Sequence, residues 1–320
     1  MRNRLVLLIL SLILGALTGC DGDGDTAVDQ TDGETLRIVT SFLPVHLLTI
    51  EVAGGLPGVE VEVIIDPAAG DPHNYQLTPG DRLKLERADL VIINGLDLEA
   101  FLDDALVELG EDVVIIEAAA GIEPLPNRQG PATEEHHDHE DEHDHGAINP
   151  HVWTSPAAAV RMVQSIRNAL SRELPDAAGT LRANAEELIT ELELVFDRMQ
   201  RAVERGDNRR IVTNHDAFPY LARDLGLEVA AVINSNPGAP LSAGEIAELV
   251  ERLNAEGAAA IFVEPQYPED AGRAVAAETG LPVYTLDPCA TGEAEPGYFL
   301  EVQERNAAAL ERALAPGEAD

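Results

Sequence analysis

The chain has 320 residues, of which 45% are hydrophobic, and this length and composition suit two globular domains of ordinary size. Its 58 acidic and 21 basic side chains give a formal charge of −37. That charge argues against nucleic acid or an anionic membrane surface as the main partner and favours cations.

Residues 1–20 are predicted to be an export signal, because a basic start leads into an apolar stretch too short for a stop-transfer helix. The stretch ends in LTGC, which resembles a bacterial lipobox and implies cleavage before Cys20 and acylation of its thiol. An ordinary signal peptide with an incidental cysteine is the alternative. Residues 21–34 are polar and read as a flexible tether. We therefore expect a protein outside the cytoplasm, held by lipid to the periplasmic side of a membrane or to the cell surface.

Cys289 is the only cysteine after Cys20, so an intramolecular disulfide is impossible even though export would permit one. A cysteine-based zinc site is excluded for the same reason. Any metal site must therefore use histidine and carboxylate.

From residue 35 onward, β-rich and helical stretches alternate, as in α/β proteins with parallel sheets. In the first half the predicted strands are 36–42, 59–65, 90–93 and 113–116. The predicted helices between them are 44–53, 79–87 and 98–109. Thr78 and Asp81 fit a capping box at the start of the second helix.

An exposed loop at 121–149, about thirty residues long, interrupts this pattern, and loops of that length are usually functional or disordered. It contains the run EEHHDHEDEHDH, whose histidines are His136, His137, His139, His143 and His145. Imidazoles alternating with carboxylates at this density bind divalent metal and cannot build a core. The run is either a solvated segment that binds metal as any such peptide would, or, as we favour, an accessory low-affinity collector near the main site.

Ser155 and Pro156 begin a helix predicted to end near residue 174, and the longest helical pattern follows at 176–205. Its apolar stripe steps by four and three through Leu181, Ala185, Leu188, Leu192, Val195, Met199 and Ala202. The stripe is broadened by Ile189, Leu194, Phe196 and Val203. A helix of this length spans about 45 Å, enough to run along two small domains. Its second apolar face favours burial within the chain over a coiled-coil dimer.

In the second half the predicted strands are 210–213, 229–233, 259–263 and 283–286. The predicted helices are 218–225, 243–256, 268–279 and 298–313, with Ser242 and Glu245 as a capping box. We therefore expect an α/β protein with lobes at 35–175 and 206–320. Each lobe is expected to hold a mainly parallel four-stranded sheet with helices, and the helix 176–205 joins the two across a cleft.

Four potential metal ligands lie outside the histidine-rich run. His73 follows the second predicted strand, His215 and Asp287 each end a strand, and His151 lies in NPHVW after the loop. Ligands of open α/β sheets bind at the carboxyl ends of strands, which is where three of these residues lie. Taken singly, each histidine is better explained as a capping or surface residue, but their joint placement indicates one site.

Other residues near these positions have two interpretations each. Glu264 also ends a strand, where it either orients a ligand imidazole through a hydrogen bond or faces water. His46 is expected to be a packing or surface residue. Trp153 is expected to pack near the site, and Tyr75 to shield the metal or fill the interface between lobes.

Four stretches, in their order and spacing, resemble the ZnuA/TroA-like (cluster A-I) family of metal-binding lipoproteins of zinc and manganese ABC importers. They are DPHNYQLTPGDRLKLERADLVIINGLDLEAFL, the loop leading into HGAINPHVW, NHDAFPYLARDLGL, and IFVEPQYPEDAGRAVAAETGLPVYTLDP. The similarity extends from about residue 36 to the C terminus.

This resemblance implies the TroA-like periplasmic-binding-protein fold, with two α/β lobes, a single long connecting helix and one metal between the lobes. The family's ligand positions fall on His73, His151, His215 and Asp287. The chain departs from many relatives at Asn149, where they carry aspartate, and at the lone Cys289, which excludes the disulfide of some relatives. The resemblance also implies an ABC permease as partner, and we expect a monomer.

Three imidazoles and one carboxylate form an N3O ligand set, which suits tetrahedral zinc, whereas manganese prefers more oxygen ligands. A carboxylate in place of His215 would have favoured manganese. Zn²⁺ is therefore the expected transported ligand and Mn²⁺ the second choice, with either Asp287 or water as the fourth ligand.

The expected function is capture of Zn²⁺ outside the membrane and its delivery to an ABC permease, without enzymatic activity. A zinc hydrolase is the first rival, but HExxH is absent from the sequence and no carboxylate has obvious general-base spacing. A surface zinc buffer or adhesin is the second rival, since the histidine-rich run alone would suffice for it.

Overall fold

Two parallel sheets organise the computed structural model, which describes residues 35–69, 72, 75–110, 113–127, 148–234 and 241–315. The predicted export signal and tether, with Cys20, lie outside these residues. His73 and the histidine-rich run, with His136, His137, His139, His143 and His145, lie outside them as well.

The first sheet consists of β1 (Leu36–Thr40), β2 (Val59–Val63), β3 (Leu90–Ile93) and β4 (Val114–Glu117). Its order is β2-β1-β3-β4, and all three pairings are parallel. The helices α1 (Leu43–Ala53), α2 (Pro79–Glu86) and α3 (Asp103–Glu108) alternate with these strands. β3 is buried along its whole length, as expected of an apolar strand covered on both faces.

The predicted helix at 98–109 begins differently from expectation. Its first turn is a 3₁₀ helix, Ala100–Leu102, and α3 follows it. The chain enters this turn through Leu96 and Asp97, whose φ angles of 58° and 61° lie in the left-handed region. A tight turn at this point therefore shortens the α-helix.

The base of the predicted 121–149 loop is ordered. β5 (Leu125–Pro126) and β6 (Ile148–Asn149) pair antiparallel. The predicted loop therefore contains a short antiparallel ribbon, β5 with β6, which the sequence did not indicate because two-residue strands are too short to show a period.

Two helices follow the ribbon. α4 (Pro156–Glu173) is capped by Ser155, whose Oγ accepts a hydrogen bond from the Ala158 N–H. A 3₁₀ turn, Pro175–Ala177, leads into α5 (Ala178–Arg205).

The main apolar stripe of α5 is buried at all seven predicted positions. Its first part, with Leu181 and Leu192, packs in the core of the first sheet, and Val195 and Met199 pack in the core of the second. The prediction for Leu194 is wrong, because this side chain is 63% exposed. At 3.6 residues per turn it lies about 200° around the helix from Leu192. Burial within the chain accounts for the stripe, in agreement with the preference over a coiled coil.

The second sheet consists of β7 (Arg210–Thr213), β8 (Glu228–Val232), β9 (Ala260–Val263) and β10 (Val283–Thr285). Its order is β10-β9-β7-β8, again with parallel pairings. The accompanying helices are α6 (Pro219–Leu225), α7 (Ala243–Glu256), α8 (Asp270–Thr279) and α9 (Tyr298–Ala313). The predicted fold class, two parallel four-stranded sheets with helices, is confirmed.

Helix α9 also connects the two cores, which the sequence did not indicate. Phe299 and Val302 pack in the first core, and Ala307 and Leu310 pack in the second. Two helices, α5 and α9, therefore pack in both cores. No helix within the described residues has the length and apolar composition needed to cross a membrane.

Candidate metal centre

Three polar residues lie at the carboxyl edge of the second sheet. His215 follows β7, Glu264 follows β9 and Asp287 follows β10, and all three side chains are buried. The carboxyl ends of parallel strands share one edge of a sheet, so the topology brings these residues to the same side of the molecule.

Glu264 holds the imidazole of His215. Its Oε1 lies 2.7 Å from His215 Nδ1 and accepts the backbone N–H of the same residue at 3.2 Å. Its other oxygen accepts a hydrogen bond from Gln266 Nε2 at 2.8 Å. Glu264 is only 1% exposed, so it is not a loop acid that faces water. A carboxylate at Nδ1 favours the tautomer with the proton on Nδ1, which leaves a lone pair on Nε2.

Asn149 holds His151 in a similar way. Its Oδ1 lies 3.0 Å from His151 Nδ1 and accepts the His151 backbone N–H, also at 3.0 Å. The amide oxygen can only accept, so it too favours the Nδ1-protonated tautomer and a lone pair on Nε2.

The Nε2 atoms of His151 and His215 face each other at 3.4 Å. The ring centroids are 5.1 Å apart and the ring planes meet at 74°. Two nitrogen ligands of a tetrahedral zinc, each about 2.05 Å from the metal, lie about 3.3 Å apart. This pair therefore has the spacing of two ligands that share one zinc ion.

The segment 149–155 that carries His151 is bonded to two loops and to helix α6 of the second half. Trp153 Nε1 donates to the Pro288 carbonyl at 2.7 Å, and Ser155 Oγ donates to Asp224 Oδ2 at 2.6 Å. Thr154 Oγ1 lies 2.9 Å from the Ala217 carbonyl oxygen.

The first half contacts the same segment. Asn94 Nδ2 donates to the Pro150 carbonyl at 3.0 Å, and the rings of Phe42 and Trp153 form an edge-to-face pair at 4.8 Å. Trp153 is buried with its ring 5.2 Å from His151, so it packs beside the site, as predicted. His151 thus lies where the two halves meet.

Asp287 is fixed by its neighbours. Its Oδ1 accepts the backbone N–H of Cys289 at 2.8 Å, and its Oδ2 lies 3.4 Å from the guanidinium of Arg305. Asn306 bonds both the N–H and the carbonyl of Asp287 at 2.8 Å. Cys289 is buried and not in a disulfide, consistent with its being the only cysteine after Cys20.

The structure brings together part of the expected ligand set. His151 and His215 are adjacent, whereas His73 is outside the described residues. Among the residues with described positions, no three histidine, cysteine, aspartate or glutamate side chains stand close enough to hold a metal. Asp287 therefore remains a predicted ligand.

A polar cluster at the carboxyl edge of the first sheet was not predicted. Buried Glu99 accepts hydrogen bonds from Ser41 Oγ at 2.7 Å, Asn94 N–H at 2.7 Å and Gly95 N–H at 3.1 Å. Burial raises the pKa of Glu99 to about 7, although these hydrogen bonds favour its charged form. Asn94 directly follows the predicted strand 90–93, which is a signal that could have identified this cluster, whereas the prediction of a strand at 36–42 placed Ser41 inside a strand.

Two further residues are packed in the first half. His46 is buried with Nδ1 3.2 Å from Thr40 Oγ1, and its burial lowers its pKa to about 4. The Tyr75 hydroxyl donates to Asp81 Oδ2 at 2.8 Å, and burial together with Asp81 raises the pKa of Tyr75 to about 12. Tyr267, whose ring lies edge-on to His215 with centroids 5.6 Å apart, is a neighbour of the site that sequence reasoning missed.

Comparison with known proteins gives one family match. The profile described as ZnuA, zinc-uptake complex component A, periplasmic, matches residues 38–313.

Individual relatives share about three residues in ten with this chain. The zinc-binding lipoprotein AdcA of Streptococcus pneumoniae serotype 4 is 31% identical over 315 residues, covering 97% of this chain and 61% of the relative. The chain therefore spans less than two thirds of that relative's length. The iron-binding protein YfeA of Yersinia pestis is 28% identical over 272 residues, covering 84% of this chain and 80% of YfeA. The crystal structure of the Zn(II)-bound ZnuA-like domain of Streptococcus pneumoniae AdcA superposes with a TM-score of 0.72 at 28% identity, covering 88% of this chain and 99% of that domain.

Proposed function

The chain belongs to the ZnuA family of zinc-uptake components, and from this premise we propose that it captures Zn²⁺ outside the cytoplasm and delivers it to the permease of an ABC importer. The observation that carries this proposal is the histidine pair. His151 and His215 present Nε2 atoms 3.4 Å apart, and an oxygen acceptor holds each Nδ1.

Two more ligands complete the proposed site. His73 supplies a third imidazole and Asp287 a carboxylate, which gives an N3O set suited to tetrahedral zinc. The AdcA relative is named for zinc and YfeA for iron, so ligand chemistry is the argument that favours zinc here over a metal that prefers oxygen. Mn²⁺ is the runner-up.

We also propose how the chain is arranged at the membrane. Cys20 carries the lipid, residues 21–34 form the tether, and the lobes at 35–175 and 206–320 act as a monomer joined by 176–205. The AdcA relative is named a lipoprotein, which supports the anchor. The histidine-rich run is an accessory metal collector, and its aspartate and glutamate side chains attract cations.

No enzymatic role is proposed. A zinc hydrolase keeps one coordination position open for water, and coordination by Asp287 closes that position. Hydrolysis of model esters that follows zinc loading and survives Asp287→Ala would contradict this.

The test is a zinc titration of chelator-stripped protein in competition with a chromophoric chelator. We expect one tight zinc per chain in the wild type and in a variant lacking residues 134–145. His151→Ala and His215→Ala should each weaken binding by more than about 100-fold, because a direct ligand contributes more than an outer partner. His46→Gln, which changes a buried histidine outside the site, is the matched control and should bind as the wild type does. The proposal would be contradicted if the variant lacking residues 134–145 no longer bound zinc tightly. It would also be contradicted if the protein bound Mn²⁺ more tightly than Zn²⁺.

A further inference from the structure

The side chain of Asn149 uses all four of its hydrogen-bonding positions. Its Oδ1 contacts the backbone N–H and Nδ1 of His151, both at 3.0 Å. Its Nδ2 donates to the Asp216 carbonyl at 2.7 Å and to Asp216 Oδ2 at 3.1 Å. Only one orientation of the amide fits, because the reverse would place donors against donors and acceptors against acceptors.

These four contacts link His151 to Asp216, the residue next to His215. The Asn149 Oδ1 atom contacts His151. The Asn149 Nδ2 atom donates to Asp216. Its main chain is held as well, since the hydroxyl of Tyr220 donates to the Asn149 carbonyl at 2.7 Å. The side chain is fully buried, so an unpaired polar group at this place would be costly.

We infer that Asn149 is a positioning residue that fixes the spacing between His151 and His215, and that tight metal capture by this chain depends on an amide at this position. The inference rests on the proposed function. An aspartate would place an oxygen against the Asp216 carbonyl and carboxylate, and such contacts between buried acceptors are repulsive. An alanine would leave His151 Nδ1 and the Asp216 acceptors without the partner that Asn149 supplies.

The test compares zinc affinities of the full chain carrying Asn149→Asp, Asn149→Ala, Asp216→Asn or the double change Asn149→Asp with Asp216→Asn. The matched control is Asn184→Asp, because Asn184 also donates two bonds, to the Val52 and Gly54 carbonyls, at a place remote from the imidazoles. Circular dichroism confirms folding, and ¹⁵N shifts of labelled histidine report the tautomer of His151 in zinc-free protein.

We expect Asn149→Asp and Asn149→Ala to weaken zinc binding about 10- to 100-fold, the usual cost of losing an outer partner of a ligand. Adding Asp216→Asn to Asn149→Asp should recover part of this loss, because an amide at position 216 can donate to the new carboxylate. Asn149→Ala should also populate the Nε2-protonated tautomer of His151, a change that a purely structural role would not produce. Asn184→Asp should leave affinity and tautomer unchanged.

Wild-type affinity in Asn149→Ala, or no recovery in the double variant, would overturn the inference. If Asn149→Asp fails to fold, Asn149→Ala decides. His151→Ala distinguishes failure of the proposed metal site from failure of the positioning role of Asn149. Wild-type zinc affinity in His151→Ala would refute the proposed site itself. If His151→Ala loses zinc affinity but Asn149→Ala keeps it, only the positioning role of Asn149 is refuted.

Discussion

His151 and His215 point their Nε2 atoms at each other across 3.4 Å, although 64 residues separate them in sequence. Their Nδ1 atoms are held by an amide oxygen and a carboxylate oxygen respectively. Both acceptors favour a proton on Nδ1, so two lone pairs converge on one point. A shared cation, or a proton on one of the two Nε2 atoms, relieves the repulsion between these lone pairs. The pair has the geometry that the proposed zinc site requires of two of its ligands.

Glu264 should strengthen His215 as a ligand, because a carboxylate that accepts the Nδ1 proton makes the ring more basic. Glu264→Gln keeps the shape of the side chain and removes its charge, so zinc affinity should fall about 10- to 100-fold in chelator competition. Glu311→Gln is the matched control, since Glu311 pairs with Arg198. Equal losses in the two variants would exclude a specific role for Glu264.

The burial pattern of α5 predicts a large contrast between two leucines. Leu192→Ala removes a buried side chain and should lower the free energy of unfolding by about 2–5 kcal/mol. Leu194→Ala alters an exposed side chain and should change it by less than about 0.5 kcal/mol. Urea unfolding of zinc-free protein measures both. Similar effects at the two positions would show that the buried face of α5 is wrongly assigned.

Glu99 should make the fold less stable as the pH rises. Its pKa is raised by burial from 4.5 to about 7, so the unfolded chain loses this proton first. Stability is therefore lost between pH 4.5 and about 7, by about 3 kcal/mol. In zinc-free protein, the free energy of unfolding of the wild type minus that of Glu99→Gln should decrease over this window. A difference that is flat with pH would contradict the burial of an ionisable Glu99.

His46 should act in the opposite direction. Its pKa is lowered by burial from 6.5 to about 4, so the unfolded chain takes up this proton first on acidification. Stability from this group is therefore lost as the pH falls from 6.5 to about 4, again by about 3 kcal/mol. The same difference measured with His46→Gln should decrease with falling pH. The pH ranges of Glu99 and His46 overlap, so their opposite effects on the free energy of unfolding offset each other in the wild type. Substituting one residue therefore exposes the pH dependence that the other contributes.

Tyr220 should stabilise the ribbon that leads into His151. Its buried hydroxyl donates to the Asn149 carbonyl and accepts the Leu125 N–H at 3.0 Å. Tyr220→Phe leaves both groups without this partner and should cost about 1–3 kcal/mol in thermal or urea unfolding. Tyr284→Phe removes an exposed hydroxyl that lies 3.3 Å from the Arg312 carbonyl and should cost less than about 0.5 kcal/mol. An unchanged free energy of unfolding in Tyr220→Phe would count against a stabilising role for the two hydrogen bonds of this hydroxyl.

Elements with strong local signals were predictable from the sequence. The strands 90–93 and 210–213 and the helices 243–256 and 298–313 have the predicted bounds, because apolar runs mark the strands and the helical period of apolar residues marks the helices. The capping box of Ser242 and Glu245 is also present.

The remaining features depend on contacts between distant residues. Glu264 had two equal interpretations because only the fold shows that an imidazole is its partner. The bonds from Asn149 to Asp216 and from Asn94 to Pro150 join segments that no local pattern connects. The positions of the candidate ligands were predictable from the ends of the strands. The hydrogen-bond acceptors that orient the imidazoles could be identified only from the folded structure.

Anomalous X-ray diffraction at the zinc absorption edge, on crystals of the zinc-loaded protein, tests the central claim most directly. We expect one strong site per chain, about 2.1 Å from the Nε2 atoms of both His151 and His215. The site should be present in the variant that lacks residues 134–145. A single zinc held only by the histidine-rich run, or one bound through Nδ1 of either histidine, would contradict the account.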